Sequence, residues 1–85
     1  MDPYKIIKYP LSTEKSIRLM ESQNKLIFVV DISADKKMIK NAVKDMFKVE
    51  VDNVKTFVQK GQKRAYIKFS EKTPAIDIAT QLGLM

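Results

Sequence analysis

The 85-residue sequence contains no histidine and no cysteine, and it has only two glycines. Without histidine and cysteine, the usual general acid–base, thiol-nucleophile and zinc-ligand chemistries lack their side chains. Gly61 and Gly83 are too few to form a phosphate-cradling loop. Disulfides are excluded, which is compatible with a reducing cytoplasm. The sequence therefore predicts a protein that is not an enzyme and that binds no metal or cofactor.

Long hydrophobic runs are also absent, because no apolar stretch approaches the roughly 20 residues of a membrane span. We therefore expect no membrane insertion, and the absence of cysteine is compatible with the cytoplasmic location that we expect. The hydrophobic content of 45% suits a globular core. A chain of this length is sufficient for one small domain, so residues 1–85 are predicted to form a single domain.

Acidic residues are scarce in two stretches of a chain whose net charge is +6. Residues 36–48 contain five lysines and one acid, Asp45. Residues 54–70 contain four lysines and Arg64 with no acid. Such clustering is typical of a protein that binds a polyanion such as RNA. The alternative is a solvated basic surface that only keeps the protein soluble.

The first basic stretch has the periodicity of an amphipathic helix. Apolar residues recur at steps of one, three and four, and Asp35 is placed to cap the first turn. The apolar face comprises Met38, Ile39, Ala42, Val43, Met46 and Phe47. Lysines lie on the opposite side, so this helix should pack one face on a sheet and present the other to an anion.

The rest of the chain alternates between short strands and helices. Strands are predicted at residues 4–9, 25–32, 49–59 and 63–70. A helix capped by Ser12 or Thr13 should end near Asn24, and a last helix should begin with Thr73 as its cap. The order β-α-β-α-β-β-α predicts an α+β fold in two or three layers.

Strand alternation predicts which side chains face the core. Leu26, Phe28, Val30 and Ile32 should point one way with Ile27 and Val29 the other, as in a strand covered on both sides. The inner residues of the third strand should be Val54, Thr56 and Val58. On the final hairpin, closed by a tight turn at residues 60–62, five side chains should alternate outward: Lys55, Phe57, Arg64, Tyr66 and Lys68.

Cations interleaved with aromatic rings suit RNA, because lysine neutralises phosphate and a ring can stack on a base. An equally open alternative places Phe57 and Tyr66 in the core beneath a helix. Residues 65–69 also match the end of the RNA-recognition-motif signature. Lys63 stands where that motif has glycine, and Arg64 where it has an aromatic. A free RNA-binding module of that type, and a protein-docking adaptor, are therefore further alternatives.

Five segments, taken in order, resemble one family, the universal large-subunit ribosomal protein L twenty-three of the exit-tunnel rim. The N-terminal motif of the family, a proline followed by hydroxyl residues and Glu-Lys, is matched here by Pro10, Ser12, Thr13, Glu14 and Lys15. The segments are residues 9–15, 34–43, 47–51, 54–56 and 63–69. Lys55 stands where the family often has asparagine, before the threonine matched by Thr56. The short hairpin loop and residues 78–85 resemble the archaeal and eukaryotic branch.

The resemblance implies a four-stranded antiparallel sheet packed with about three helices, on a ribosomal protein that binds large-subunit ribosomal RNA at the tunnel rim. It also implies ribosomal protein L twenty-nine as a neighbour, and docking of nascent-chain factors such as signal recognition particle, with Glu14 on the docking surface. Thr56 is carried over as an RNA-binding position. Phosphate contacts are expected from Lys15, Arg18, Lys36, Lys37, Lys40, Lys44, Lys55, Lys60, Lys63 and Arg64.

Overall fold

The computed structural model describes the backbone of residues 3–83 and the side chains of residues 5–83. The last two positions of the archaeal-like segment, Leu84 and Met85, lie outside that range. The predicted order of strands and helices is confirmed, with a single helical turn before the first strand. The helices are α1 (Pro3–Ile6), α2 (Glu14–Gln23), α3 (Lys36–Phe47) and α4 (Ala75–Gln81), and the strands are β1 (Ile7–Pro10), β2 (Lys25–Val30), β3 (Val51–Gln59) and β4 (Gln62–Phe69).

The four strands form one antiparallel sheet in the order β1-β2-β4-β3, so the predicted α+β class is confirmed. β1 is an edge strand, as expected from Pro10, since proline cannot complete the hydrogen bonds of a central strand. β2 is covered on both faces. Ile27 and Val29 are as buried as Leu26 and Phe28, although their side chains point to opposite sides of the sheet.

The main core lies on one face of the sheet, which we call the core face. Ala65 and Ile67 of β4 are fully buried there, in the same apolar cluster as Ile39 and Val43 of α3. The buried residues of α4, Ala75, Ile78 and Ala79, belong to the same apolar cluster. The apolar stripe predicted for α3 therefore does attach this helix to the sheet, and its lysines are left on the outer side.

Capping residues fix where α2 and α3 begin. The Asp35 Oδ1 accepts a hydrogen bond of 2.8 Å from the Met38 backbone N–H, as predicted. Thr13, one of the two predicted caps of α2, accepts from the Ser16 N–H, and the Ser16 hydroxyl oxygen accepts from the Thr13 N–H. This reciprocal arrangement satisfies two backbone donors that the first turn of a helix leaves without partners.

The first and second strands are shorter than predicted. Residues Pro3–Ile6 form a helical turn that contacts α3, so the edge strand begins at Ile7 rather than at residue 4. β2 ends at Val30 because Asp31 accepts hydrogen bonds from the backbone N–H and hydroxyl of Ser33, which turns the chain. The prediction that Ile32 lies in the core is therefore wrong, and its side chain is 55% exposed.

Two further predictions about individual residues are wrong. Val58 has the inward parity of β3, but it lies near the hairpin turn and is 62% exposed. The cap of α4 is not the Thr73 hydroxyl, because the Ala75 N–H donates 2.6 Å to the side-chain oxygen of Asn24. Sequence periodicity predicts which face of a strand or helix is apolar. It does not show which other elements lie nearby, and these decide the exposure of Val58 and the cap of α4.

Asn24 links three elements at one end of the sheet. It ends α2 in the left-handed conformation, with φ of +57°, a region that asparagine tolerates better than most residues. Its amide nitrogen is within 3.2 Å of the carbonyl oxygens of Phe69, Ser70 and Thr73. Together with the bond to α4, these contacts fix the end of β4 and the start of α4 relative to α2.

Candidate nucleic-acid interface

The second face of the sheet carries the outward side chains of the β3–β4 hairpin. Lys55 and Tyr66 are opposite each other in the register, as are Phe57 and Arg64. Lys15 and Leu19 of α2 stand beside this surface and complete a groove of about 540 Å³. We call it the basic groove; it is lined by Lys15, Leu19, Lys25, Asn53, Lys55, Phe57, Val58, Gln59, Arg64, Tyr66 and Lys68.

Charge of one sign dominates the basic groove. Its lining, drawn from the described residues, includes five cations and no aspartate or glutamate. Lys25 and Lys68 face each other across β2 and β4, so two like charges lie at one end of the groove. A concave surface with several cations and no compensating acid attracts a polyanion more strongly than the same charges spread over a convex surface.

The two aromatic residues lie in the groove and not in the core. The Phe57 and Tyr66 rings pack edge to face, with 5.2 Å between their centroids. The Lys15 Nζ lies 5.5 Å from the centre of the Tyr66 ring, which is a cation–π distance. The prediction that cations and aromatic rings interleave on the outward face of the hairpin is therefore confirmed.

A chain of side-chain hydrogen bonds orients Arg64. Its Nε donates 3.1 Å to the Gln62 side-chain oxygen, and the Gln62 amide nitrogen donates 2.9 Å to the Tyr9 hydroxyl on β1. The hydrogen bond at Nε fixes the plane of the guanidinium group. The N–H donors of the two terminal nitrogens remain available to a ligand. Such a fixed fork matches the two oxygens of a phosphate better than a freely rotating cation.

The lysines of α3 lie on the opposite side of the molecule from the basic groove. Because α3 packs on the core face, its outer surface is separated from the groove by the whole thickness of the sheet. Lys36 and Lys37 are exposed, and Lys40 and Lys44 are half-buried. We call these four residues the lysine face. Seven of the ten cations predicted to bind RNA therefore lie on two separate surfaces, three in the basic groove and four on the lysine face.

Other predicted positions lie outside both surfaces. Lys63 points to the core side of β4, where its Nζ donates 2.6 Å to the Ala34 carbonyl oxygen just before α3. Thr56 is half-buried with the same parity. Lys60 forms the hairpin turn with Gly61, and both have positive φ, at +52° and +74°. This two-residue connection is of the type I′ kind that suits the twist of a hairpin.

Arg18 and Glu14 pair with each other on the exposed side of α2. The Arg18 Nη2 lies 2.7 Å from the Glu14 Oε1, one helical turn away. The predicted RNA contact and the predicted factor-docking residue thus share one surface patch. An exposed pair of this kind contributes little to stability and remains available to a partner.

Several groove residues were missing from the predicted site. Lys25 and Lys68 come together only through the β2–β4 register, and Gln62 acts through Arg64. The outward parity of Lys68 was visible in the sequence, but strand pairing was needed to show which cations share a groove with it. A bulge between Val51 and Asn53 shifts the register of β3 and brings Asn53 to the groove. Nothing in the sequence predicted this bulge.

The helices between residues 3 and 83 are all too short or too polar to cross a membrane.

Over residues 5–80, the chain matches the family described as Ribosomal protein L23. The match covers the capped α2, the lysine-bearing α3 and the hairpin that carries the basic groove. This chain therefore belongs to the ribosomal protein L23 family, and is a structural, cytoplasmic protein of the large ribosomal subunit.

Proposed function

We propose that the chain binds large-subunit ribosomal RNA, and that the basic groove is its principal contact. The observation that carries this proposal is the convergence of five cations on one concave surface, with no acid among the described residues that line it. Membership of a large-subunit ribosomal protein family supports RNA as the polyanion. The whole chain, residues 1–85, acts as one RNA-binding domain in this proposal.

The lysine face serves as a second and looser contact. Its residues are on a helix surface without an aromatic ring among them, and Asp35 and Asp45 lie on the same helix or at its start. Lys60 at the hairpin tip extends the groove side towards RNA, whereas Lys63 and Thr56 support the hairpin from the core side. Arg18 contacts RNA only if its pair with Glu14 opens.

Salt dependence tests the RNA-binding proposal. Each phosphate contact lowers the slope of log affinity against log salt by about 0.9 on duplex RNA-like charge density and about 0.7 on single strands. Contacts from all the groove cations predict a slope of about −3.5 to −4.5 in a titration of the chain against large-subunit ribosomal RNA. A flat salt response would contradict the proposal.

Association with intact particles separates RNA binding from the alternatives. A ribosomal protein held by RNA should stay with large subunits after a moderate-salt wash. A protein-docking adaptor, or a free RNA-binding module, should be recovered in the supernatant.

We further propose that the chain lies at the rim of the polypeptide exit tunnel, beside ribosomal protein L twenty-nine, where Glu14 helps signal recognition particle to dock. The exposure of Glu14 on α2 supports a docking role. Glu21 is a matched control, because it has the same charge and lies exposed two turns along the same helix. Glu14→Ala should weaken binding of signal recognition particle to large subunits severalfold, and Glu21→Ala should not.

The hairpin supports assignment to the archaeal and eukaryotic branch of the family. β3 and β4 are joined by Lys60 and Gly61 alone, so the hairpin has no long basic loop that could enter the tunnel. Crosslinking from Gly61→Cys in assembled subunits should therefore reach RNA or protein at the rim. Crosslinks to a nascent chain deep in the tunnel would contradict this assignment.

A further inference from the structure

One large apolar side chain in the basic groove is left open to solvent. Phe57 is 54% exposed although it lies among cations on a surface where the other ring, Tyr66, is half-buried. We propose that the groove takes an unpaired nucleotide of the RNA, with its base stacked on the Phe57 ring. This inference rests on the proposed function, and it specifies the kind of RNA that the groove selects.

Phe57 is better placed than Tyr66 to receive a base. The ammonium group of Lys15 already lies over the Tyr66 ring, at 5.5 Å from its centre. Tyr66 in turn contacts Phe57 at an interplanar angle of 76°, which limits how the Phe57 ring can turn. A ring that is held in position and still exposed loses little conformational freedom when a base covers it.

The ring favours an unpaired base because a duplex does not offer a base face. In a helix each base is stacked between its neighbours, and only its edges and the backbone reach the surface. A base that has left the stack can lie flat on an aromatic side chain. The groove volume of about 540 Å³ is within the usual range of small-molecule sites, roughly 300–1,000 Å³.

Cations stand where the phosphates of such a nucleotide would lie. Arg64 is the direct cross-strand neighbour of Phe57, so their side chains leave the sheet side by side. Its guanidinium is held by Gln62, and Lys55 is adjacent on β3. A base on Phe57 thus brings its own phosphate close to a fixed guanidinium fork, which pairs stacking with charge neutralisation.

Two short RNA duplexes test this inference, one fully paired and one with a single unpaired adenosine at its centre. Affinities are measured by fluorescence anisotropy at one salt concentration. The wild-type chain should bind the RNA with the unpaired adenosine about 5- to 150-fold more tightly, the range expected for one stacked base. Phe57→Leu should abolish this preference and leave the affinity for the paired duplex unchanged, whereas Phe57→Tyr should retain it.

Ile32→Ala is the matched control, because Ile32 is an apolar side chain of equal exposure, 55% against 54% for Phe57, and it lies outside the groove lining. It should keep the wild-type preference, and thermal unfolding should show that all variants are folded. Equal affinity of the wild type for the two duplexes, with steep salt dependence on both, would overturn the inference and leave the proposed function intact. A preference that survives Phe57→Leu would overturn it too. Failure to bind either duplex or ribosomal RNA would overturn both.

Discussion

The basic groove and the lysine face carry similar charge but are built differently. The groove places its cations on two paired strands and α2, around two packed aromatic rings. Arg64 is held in place by two successive hydrogen bonds. The lysine face consists of flexible side chains along one side of a helix. Charge count alone does not distinguish these surfaces, whereas the fixed geometry of the groove favours a specific contact.

Two basic stretches of similar charge can therefore contact RNA in different ways. Ammonium groups on long side chains attract RNA from a distance, and this attraction is screened within about 10 Å at ordinary ionic strength. A fixed guanidinium beside an exposed ring adds short-range interactions that depend on the shape of the ligand. We therefore expect the groove to account for most of the binding free energy and the lysine face for a smaller, salt-sensitive part.

Charge reversal on each surface gives the largest expected effect. The double variants Lys55→Glu with Arg64→Glu and Lys40→Glu with Lys44→Glu change the net charge equally. We expect the groove variant to lose about 100-fold or more in affinity for ribosomal RNA, because a hydrogen bond to a charged group contributes about 1.5–3 kcal/mol. The α3 variant should lose less than about 10-fold, since it removes mainly screened attraction. Equal losses would remove the distinction between the surfaces.

A variant of Asn24 should lower the stability of the fold without changing RNA binding by the basic groove or the lysine face. Asn24→Ala removes the side-chain bonds to β4 and α4 and places alanine in the left-handed conformation. We expect the free energy of unfolding in urea to fall by about 2–4 kcal/mol. Asn24→Gly should be about 1 kcal/mol less damaging, because glycine adopts that conformation without strain. The folded fraction of either variant should bind RNA like the wild type, and a selective loss of groove binding would contradict this separation.

A variant of Gln62 tests whether the orientation of Arg64 matters. Gln62→Ala removes the acceptor of the Arg64 Nε but leaves every charge in place. Affinity for ribosomal RNA should fall by about 3- to 10-fold, the scale of one modest hydrogen bond. Gln59→Ala is the control, because Gln59 is the same residue type on the neighbouring strand and, within the part of the chain that the structure describes, its side chain accepts no hydrogen bond from Arg64. Identical affinities for the two variants would show that the guanidinium needs no positioning.

The smallest expected effect concerns pH. The chain has no histidine, the side chain whose ordinary pKa lies between pH 5 and 8, so the affinity for RNA should be nearly constant across that range.

Stability should depend on pH only in acid. Hydrogen bonds from Ser33 lower the pKa of Asp31 from its usual value of 3.8. A lowered pKa means that the stabilisation is present above the unfolded-state pKa and is lost as pH falls through the folded value. Urea unfolding between pH 8 and 2 should show this loss only in the acidic part, and less of it in Asp31→Asn.

The sequence predicted the elements of the fold well, because local periodicity and capping decide them. Asp35, Thr13 and the apolar stripe of α3 could be identified directly. The errors lie where distant elements decide the outcome. Ile32 and Val58 have core-like patterns but extend past the helices that cover the sheet, and the cap of α4 comes from Asn24, which is 51 residues away along the chain.

The candidate site was only partly predictable for the same reason. The outward parity of Lys55, Arg64 and Lys68 follows from strand alternation. Whether α3 and the hairpin present their cations to the same side depends on which face of the sheet α3 covers, and the sequence does not specify that. The contribution of Lys25 and the orientation of Arg64 by Gln62 depend on strand register and on side-chain geometry.

Lysine reactivity in intact large subunits tests most directly whether RNA occupies the basic groove. An amine-reactive reagent is applied to the free chain and to purified subunits, and each modified lysine is quantified by mass spectrometry. We predict that Lys15, Lys25, Lys55 and Lys68 lose most of their reactivity in the subunit, and that the lysine face keeps a clearly larger fraction of its own. Groove lysines that react in the subunit as they do in the free chain would contradict the account.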